Sequence, residues 1–280
     1  MRQWLRHFDL TQPPFDKDLD TEHLWLPSSR RGVLESMRQA IDERGHILLI
    51  GEPGIGKTCL LRALRDQLPE NAYRLTYCHN ATLGRRDFYR QLSMALNLKP
   101  HATAAAVFFD ITSHIEELAV DRIHPVFLLD ESHLLHQDVV DHLHVLTNYS
   151  WDQKPLLSLI LVGLSDLWDR MLLRRNRSLW SRIHTRIQLA DGSPSDTAEY
   201  IEHRWRCVSQ AANPFDSDTI ALMHEAAVGR FRDIDRIATG TLKLAARRKL
   251  KRVDRAIIEH VLVRDQSLNA TSRPSERGEL

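Results

Sequence analysis

The sequence predicts an α/β protein in which a five-stranded parallel sheet carries helices on both faces and is followed by an all-helical lid. Three observations support this fold class. Strand patterns alternate with helix-periodic segments five times before residue 192, a glycine-rich loop separates the first strand from the next helix, and strand patterns stop at Pro194. Because strand–helix repeats require crossover connections, the sheet is expected to be parallel.

The individual elements follow from apolar periodicity and from breaking residues. Helix 31–44 places Val33, Leu34, Met37 and Ile41 on one face, and Tyr73–Cys78 alternates as a strand does. The predicted strands are 46–50, 73–78, 126–129, 156–162 and 183–189. The predicted helices are 31–44, 59–68, 87–98, 102–120, 134–149, 166–173, 195–210, 216–228, 231–250 and 254–263.

Four segments are predicted along the chain. Residues 1–30 are rich in large apolar side chains and are expected to pack on the core, which spans 31–192. The helical lid is placed at 193–264. Residues 265–280 are polar without apolar periodicity, so a disordered tail is expected there.

The glycine-rich loop fits the pattern G-x-x-x-x-G-K-[ST] at every fixed position and lies between a predicted strand and a predicted helix. Main-chain N–H groups of such a loop point into one concavity and bind phosphate. Lys57 can reach the β- and γ-phosphates, and the Thr58 hydroxyl can ligate Mg²⁺. A glycine-rich turn with a chance Lys-Thr is the alternative, which the flanking elements disfavour. The predicted nucleotide-binding residues are Gly51, Glu52, Pro53, Gly54, Ile55, Gly56, Lys57, Thr58 and Cys59.

A second motif consists of four apolar residues, 126–129, followed by Asp130 and Glu131. A buried parallel strand that ends in two acids places them at the edge where ligands bind. We expect Asp130 to hold Mg²⁺ together with Thr58, and Glu131 to orient and deprotonate the water that attacks the γ-phosphate. The alternative is that the two acids merely cap the strand or open the next helix.

Composition limits the cellular setting. The net charge is +1, no apolar run approaches the roughly 20 residues of a membrane helix, and the N-terminus lacks the pattern of a signal peptide. Cys59, Cys78 and Cys207 are far apart, which indicates reduced, buried thiols. The sequence therefore predicts a cytoplasmic protein without a membrane partner, although the net charge does not decide whether nucleic acid binds.

Together these motifs resemble the AAA+ ATPases. The narrower resemblance, over about residues 5–262, is to ExeA-type ATPases and to the helper ATPases of DDE transposases, of the TniB, TnsC and IstB kind. It is carried by Phe8-Asp9-Leu10-Thr11 with Pro14-Phe15, by Leu159–Gly163 with Leu167, and by Arg182-Ile183 with Arg186-Ile187.

Secretion-type members continue into a membrane span and a cell-wall-binding domain, which this sequence does not contain, so the chain looks more like the transposition helpers. That resemblance implies an ATPase that oligomerises as a ring or filament on double-stranded DNA in an ATP-dependent way and recruits or stimulates a partner transposase. A secretion-linked ATPase with a membrane partner and a non-enzymatic ATP switch of the initiator-loader type are the alternatives.

The resemblance also assigns roles to arginines. Arg182 and Arg186 resemble residues that reach the γ-phosphate of a neighbouring subunit, although they could simply be surface arginines. Within Gly229-Arg230-Phe231-Arg232, Arg232 corresponds to the arginine placed over the nucleotide. The polar residue expected after the fourth strand is Leu164 here. Ser165 or Asp166 is the candidate replacement, and hydrolysis is expected to be slow.

Basic residues cluster in several places. Lys243, Arg247 and Lys251 are predicted to form one stripe on a helix that follows a DNA backbone, and Arg85 and Arg86 form a smaller patch. A solvated helix face is the alternative. A further cluster consists of Arg170, Arg174, Arg175 and Arg177. We interpret His133, His136, His142 and His144 as ordinary helix and surface residues rather than as a metal site, because no cysteine partners accompany them.

Overall fold

Five parallel strands form one sheet in a computed structural model of the chain, which describes residues 3–16, 25–78, 82–99, 101, 103–149 and 154–271. The strands are β1 (His46–Ile50), β2 (Tyr73–Cys78), β3 (His124–Leu129), β4 (Ser158–Gly163) and β5 (Ile183–Gln188). Their spatial order is β2-β3-β4-β1-β5. The predicted fold class is therefore confirmed.

Two units can be separated along the chain. We call residues 29–52 and 57–190 the sheet unit, and residues 1–28, 53–56 and 191–280 the helical unit. Helices of the sheet unit are α2 (Ser28–Asp42), α3 (Lys57–Gln67), α4 (Arg85–Ala95), α5 (Ala104–Val120), α6 (Gln137–Leu146), α7 (Asp166–Leu172) and α8 (Arg177–Trp180). Short 3₁₀ turns lie at Ser132–Leu134 and Arg174–Asn176.

The topology of the sheet unit places helices on opposite faces. The chain runs from β1 across the sheet to β2 through α3, and then back through β3 and β4 to β5. Because parallel crossovers are right-handed, reversing the direction moves the connecting helices to the other face. One face of the sheet contributes Leu48, Phe127 and Leu161 to a buried cluster with α4–α8, and the alternate residues are equally buried.

Polar side chains line the edge at which the strands begin. His124 Nε2 lies 2.8 Å from Ser158 Oγ, and Arg44 lies 3.1 Å from His124 Nδ1. His46 Nδ1 accepts a hydrogen bond from Leu159 N at 3.2 Å. Burial is the main cause that lowers the pKa of both histidines to about 4, and neighbouring positive charge adds to it. Both imidazoles are therefore neutral at pH 7.

The helical unit contains α1 (Gln3–His7), α9 (Pro194–Arg206), α10 (Ser217–Ala227), α11 (Phe231–Arg247) and α12 (Arg255–Thr271). A capping box fixes the start of α9: Ser193 Oγ accepts from Asp196 N, and the Asp196 carboxylate accepts from Ser193 N. No helix in the described ranges is long and apolar enough to cross a membrane.

The described part of the N-terminal segment belongs to the core of this helical unit. Trp4, Phe8 and Phe15 are buried there, and the Phe8 ring meets Trp205 edge-to-face at 6.1 Å. The packing of residues 1–30 on the core at 31–192 stays a prediction. The sequence shows that the apolar side chains need cover, but their irregular spacing does not identify the surface that provides it.

Helix ends also differ from prediction. Helix α12 continues to Thr271, so the expected disordered tail does not begin at residue 265. Leu268 and Ala270 are good helix formers and the first proline is Pro274, so nothing in the sequence stops the helix earlier. Residues 272–280 lie outside the described residues.

The buried histidines predict a pH dependence of stability. A pKa near 4 in the folded chain, against about 6.5 when unfolded, contributes stability above pH 6.5 that is lost as pH falls towards 4. His46→Asn keeps an acceptor for Leu159 N but does not titrate. Denaturant unfolding between pH 6 and 4.5 should show a shallower loss of free energy for the variant, by up to about 1.4 kcal/mol per pH unit. Carboxylates contribute equally to both proteins, so equal slopes would contradict this assignment.

Candidate nucleotide site

The glycine-rich loop leaves β1 after Ile50 and ends where α3 begins at Lys57. Gly54 and Gly56 have φ values of +86° and +96°, which L side chains rarely adopt. A Cβ on Gly54 would lie 2.8 Å from Arg232 Cβ, and Arg232 N donates to Gly54 O at 3.3 Å. Glycine at 54 is therefore required twice, by backbone conformation and by the close approach of Arg232.

Residues 229–231, which precede Arg232, are packed as tightly as the contact between Gly54 and Arg232. Gly192 N donates to Gly229 O at 3.1 Å, and a Cβ on Gly229 would overlap Gly192 O at 2.2 Å. The Phe231 ring lies 3.6 Å from the position of a Cβ on Gly56. The main chain that carries Arg232 is thus fixed against residues 53–56, while the Arg232 side chain is exposed.

Lys57 lies against the main chain of its own loop. Its Nζ donates to Gly51 O at 2.6 Å and to Glu52 O at 3.1 Å. Ile55 is buried and anchors the loop, whereas Thr58 and Cys59 are exposed in the first turn of α3. The predicted burial of the Cys59 thiol is wrong, because Cys59 lies on the open side of that turn.

The acid pair follows β3 directly. Asp130 N donates to Cys78 O at 2.9 Å, and Asp130 Oδ1 accepts from Glu131 N at 2.9 Å. Asp130 Oδ2 accepts from the Tyr77 hydroxyl at 2.9 Å. Partial burial and this hydrogen bond raise the pKa of Tyr77, so the phenol stays a donor at neutral pH. Sequence reasoning misses Tyr77, because an alternating strand does not tell which strand it pairs with.

The sheet brings the acid pair and the loop to one edge. Strand β4 lies between β1 and β3, with Ile50 paired to Gly163 and Leu129 paired to Leu161. Since neighbouring strands are about 4.8 Å apart, β1 and β3 are separated by about 10 Å across the sheet, and Ile50 lies two residues further along the sheet than Leu129. The Asp130 carboxylate and the Thr58 hydroxyl are the oxygen donors that Mg²⁺ prefers, so the donor set fits this metal.

Glu131 adopts the left-handed conformation, with φ 52° and ψ 36°. A non-glycine residue in this region costs roughly 1–2 kcal/mol and is enriched at functional sites. Its carboxylate is half-exposed, and Glu131 Oε2 lies 3.4 Å from His133 Nδ1. The predicted general base is therefore held at a sharp turn directly after the buried strand.

The end of β4 bears on the predicted replacement for Leu164. Ser165 Oγ donates to Glu52 Oε1 at 2.6 Å, which ties this position to the glycine-rich loop. Asp166 begins α7 and is exposed. Ser165 is therefore the candidate that the structure joins to the loop.

Arg182 and Arg186 lie elsewhere on the sheet unit. Arg182 directly precedes β5, at the edge where the strands begin. Arg186 is paired with Leu48, and its guanidinium stacks 3.7 Å from the centre of the Trp180 ring while donating to Trp180 O at 3.0 Å. Neither arginine is brought to the end of β1 within one chain, and their predicted role in a neighbouring subunit stays a prediction.

Four of the five predicted DNA-binding residues are exposed on helices, and Lys251 is not on a helix. Arg85 and Arg86 are the exposed first residues of α4, and Lys243 and Arg247 are exposed on α11. The prediction that Lys251 extends a helical stripe is wrong. Helix α11 ends at Arg247, and Leu250 N donates to Ala245 O at 2.9 Å around a left-handed Lys249, which is a Schellman cap.

Lys251 consequently lies in a turn. Its ammonium donates to His7 O and pairs with Asp9 Oδ2 at 3.5 Å. The sequence indicates helical spacing here, and no glycine marks the cap, because a lysine occupies the left-handed position instead.

Arg170 of the basic cluster at 170–177 also has an internal role. Its guanidinium donates to His133 O at 2.9 Å and to Leu135 O at 2.5 Å, and Arg170 Nε donates to Gln137 at 3.4 Å. It therefore fixes the segment after the acid pair. Of the four clustered histidines, His136 caps α6 and His142 contacts Tyr89, and no group of three metal-ligating side chains occurs in the described ranges.

The geometry at Gly54 predicts a steric penalty. Gly54→Ala should destabilise the protein by more than the roughly 1–2 kcal/mol of a left-handed alanine, because the new methyl also meets Arg232. Gly32→Ala is the control: nothing lies within 4 Å of its Cβ, and it is helical, so about 0.5–1 kcal/mol of stabilisation is expected. Thermal melting measures both. A Gly54→Ala protein as stable as Gly32→Ala would contradict the observed loop geometry.

Comparison with known proteins gives a family match for part of the chain. Residues 39–171 match the family model described as AAA domain. General secretion pathway protein A of Aeromonas hydrophila is 28% identical over 229 residues, which cover 81% of this chain and 42% of that protein. This chain therefore spans less than half the length of that relative.

Solved structures with low sequence identity share the fold. The Aeropyrum pernix ORC1 protein in complex with DNA matches with TM-score 0.65 and 16% identity, covering 91% of this chain and 73% of that one. Cdc6p of Pyrobaculum aerophilum matches with TM-score 0.62 and 16% identity, covering 87% of this chain and 68% of that one. The RuvB Holliday junction branch migration motor of Thermotoga maritima matches with TM-score 0.56 and 18% identity, covering 90% of this chain and 73% of that one. The chain therefore has the AAA+ fold of the P-loop NTPases, with an AAA domain matched over residues 39–171.

Proposed function

We propose that this protein binds ATP with Mg²⁺, hydrolyses it slowly, and uses the bound state to assemble on double-stranded DNA as a transposition helper that recruits or stimulates a partner transposase. The observation that carries the ATPase part is the combination of the positive-φ glycine loop and Lys57 with an acid pair that ends β3. Neither half would suffice alone, since glycine turns and strand-end acids are common separately.

The chain's own groups divide the chemistry between them. The main-chain N–H groups of the loop and the Lys57 ammonium bind the phosphates. Thr58 and Asp130 would hold the Mg²⁺, which would neutralise charge on the phosphate oxygens. Glu131 accepts a proton from the attacking water, so that ATP and water give ADP and phosphate. Leu164 stands where a polar side chain is expected, and the candidate replacement, Ser165, donates its hydroxyl proton to Glu52, so turnover is slow.

Arginines complete the proposed site. The main chain of Arg232 is hydrogen-bonded to Gly54, and its exposed side chain reaches the phosphates of the ATP bound to the same chain. Arg182 and Arg186 serve a neighbouring copy, where a guanidinium supplied in trans stabilises charge on the transferred phosphoryl group. This role requires Arg186 to leave the Trp180 ring and makes oligomerisation a condition of full activity.

Exposed basic residues support contact with a DNA backbone. Lys243 and Arg247 share one face of α11 at i, i+4 spacing, and Arg85 and Arg86 open α4. Such residues neutralise phosphates without reading sequence. ORC1, a protein of the same fold, has been solved with DNA, which supports this proposal by analogy of fold.

A second candidate is a secretion-linked ATPase that acts with a membrane partner. The specific observation in its favour is the relative named General secretion pathway protein A, which aligns with 81% of this chain. In this case the lysines and arginines form a solvated surface, and no affinity for DNA is expected. DNA binding therefore separates the two candidates.

Substitutions at the loop and at the acid pair test the ATPase proposal. Lys57→Ala should abolish binding of a fluorescent ATP analogue, because the phosphates lose their ammonium partner. Glu131→Gln should bind it normally yet lower phosphate release by about 100-fold or more, since a general base contributes at least that much. Lys99→Ala, at an exposed position, is the control. Normal phosphate release by both Lys57→Ala and Glu131→Gln would rule out this site as the ATPase centre.

Duplex DNA binding tests the DNA part. Binding should appear only with a non-hydrolysable ATP analogue and should weaken steeply with salt, because protein cations that neutralise DNA phosphates release counterions. A Lys243→Ala/Arg247→Ala protein should bind more weakly. The slope of log K against log salt should fall by about one for each DNA phosphate that this variant no longer neutralises.

The control for that measurement is Arg206→Ala, which removes an exposed arginine of the helical unit paired with Glu202. It should leave the slope unchanged. If wild-type protein binds no duplex with or without the analogue, the transposition proposal fails and the secretion candidate is favoured.

A further inference from the structure

His133 lies two residues after the proposed general base, and most of its side chain is buried. Its side chain is only 10% exposed, whereas that of Glu131 is 51% exposed. His133 Nδ1 is fully buried and has no hydrogen-bond partner within the described part of the chain. Glu131 Oε2 lies 3.4 Å from this nitrogen. A buried ring nitrogen is costly when unpaired, so the carboxylate is its natural acceptor.

The main chain of His133 is held from two sides. Its carbonyl accepts from Arg170 at 2.9 Å, and a Cβ on Gly163 would lie 3.2 Å from its amide nitrogen. The main-chain position from which the imidazole extends is therefore fixed beside β4. Glu131, in contrast, is half-exposed and ends in three rotatable bonds, so the carboxylate is the partner that moves.

We propose that His133 is a positioning residue for Glu131 in ATP hydrolysis. With the proton on Nδ1, the imidazole donates to Glu131 Oε2 and leaves Oε1 to accept the proton of the attacking water. The imidazole keeps its own proton throughout, and the water proton ends on Glu131. This inference rests on the proposed ATPase function and adds a residue to it.

The geometry distinguishes the two ring nitrogens, and this gives a sharp test. The amide nitrogen of asparagine can take the place of Nδ1, whereas that of glutamine takes the place of Nε2. His133→Ala should lower kcat by about 10- to 100-fold with the KM for ATP unchanged, as expected when a catalytic group loses its orientation. His133→Asn should recover most of that loss, and His133→Gln should not.

The controls separate positioning from folding and from the ATPase proposal itself. Melting temperature and binding of a fluorescent ATP analogue are measured for each variant. If His133→Ala does not fold, the comparison of asparagine with glutamine decides. In a Glu131→Gln background, His133→Ala should have no further effect on the residual rate, because its action passes through the carboxylate.

Three results would overturn the inference: unchanged kcat in His133→Ala, equal rescue by asparagine and glutamine, or an additional loss in the Glu131→Gln background. If the wild-type protein hydrolyses ATP, the Glu131→Gln protein does not, and one of these three results is found, only the role of His133 is refuted. Wild-type protein that hydrolyses no ATP refutes the proposed function, and the role of His133 falls with it.

Discussion

A loop that wraps a phosphate must present its main-chain N–H groups, and side chains at the turning points would block them. In the proposed phosphate loop of this chain the turning points are Gly54 and Gly56, both at positive φ. The same lack of a side chain lets Arg232 approach within hydrogen-bond distance of Gly54 O. The rest of the site depends on this constraint, because the loop fixes where α3 begins and therefore where Lys57 and Thr58 lie.

The strand register of the sheet positions the other part of the site, the acid pair Asp130 and Glu131. Parallel pairing through β4 places the end of β3 on the same edge of the sheet as the end of β1, so Asp130 and Glu131 reach the edge where the loop starts. Hydrogen bonds then distinguish the two acids. Asp130 is held by Tyr77 and by the amide of Glu131, as suits a metal ligand, while Glu131 keeps a half-exposed carboxylate, as suits a base.

Much of this could be predicted from the sequence, since β1, β3 and β4 are largely apolar runs, β2 alternates between apolar and polar residues, and the loop has an unambiguous pattern. The failures are cases in which tertiary packing decides. Lys251 continues a helical spacing in sequence, yet the Schellman cap at Lys249 turns it towards His7 and Asp9. The N-terminal apolar residues lack periodicity, so nothing local indicates that they cover α9 and α11. Tyr77 and His133 could not be assigned from a single sequence either, because their partners depend on strand pairing or on the left-handed turn at Glu131. The sequence names Ser165 and Asp166 as equal candidates, and only the hydrogen bond to Glu52 distinguishes Ser165.

The most direct test of the account is release of inorganic phosphate from ATP by the purified wild-type protein, with Mg²⁺ and with the metal removed by EDTA. If the loop and the acid pair form an ATPase site, phosphate release saturates with ATP and depends on Mg²⁺, even if the rate is low. If no phosphate is released under either condition at saturating ATP, the central claim that this site hydrolyses ATP is contradicted.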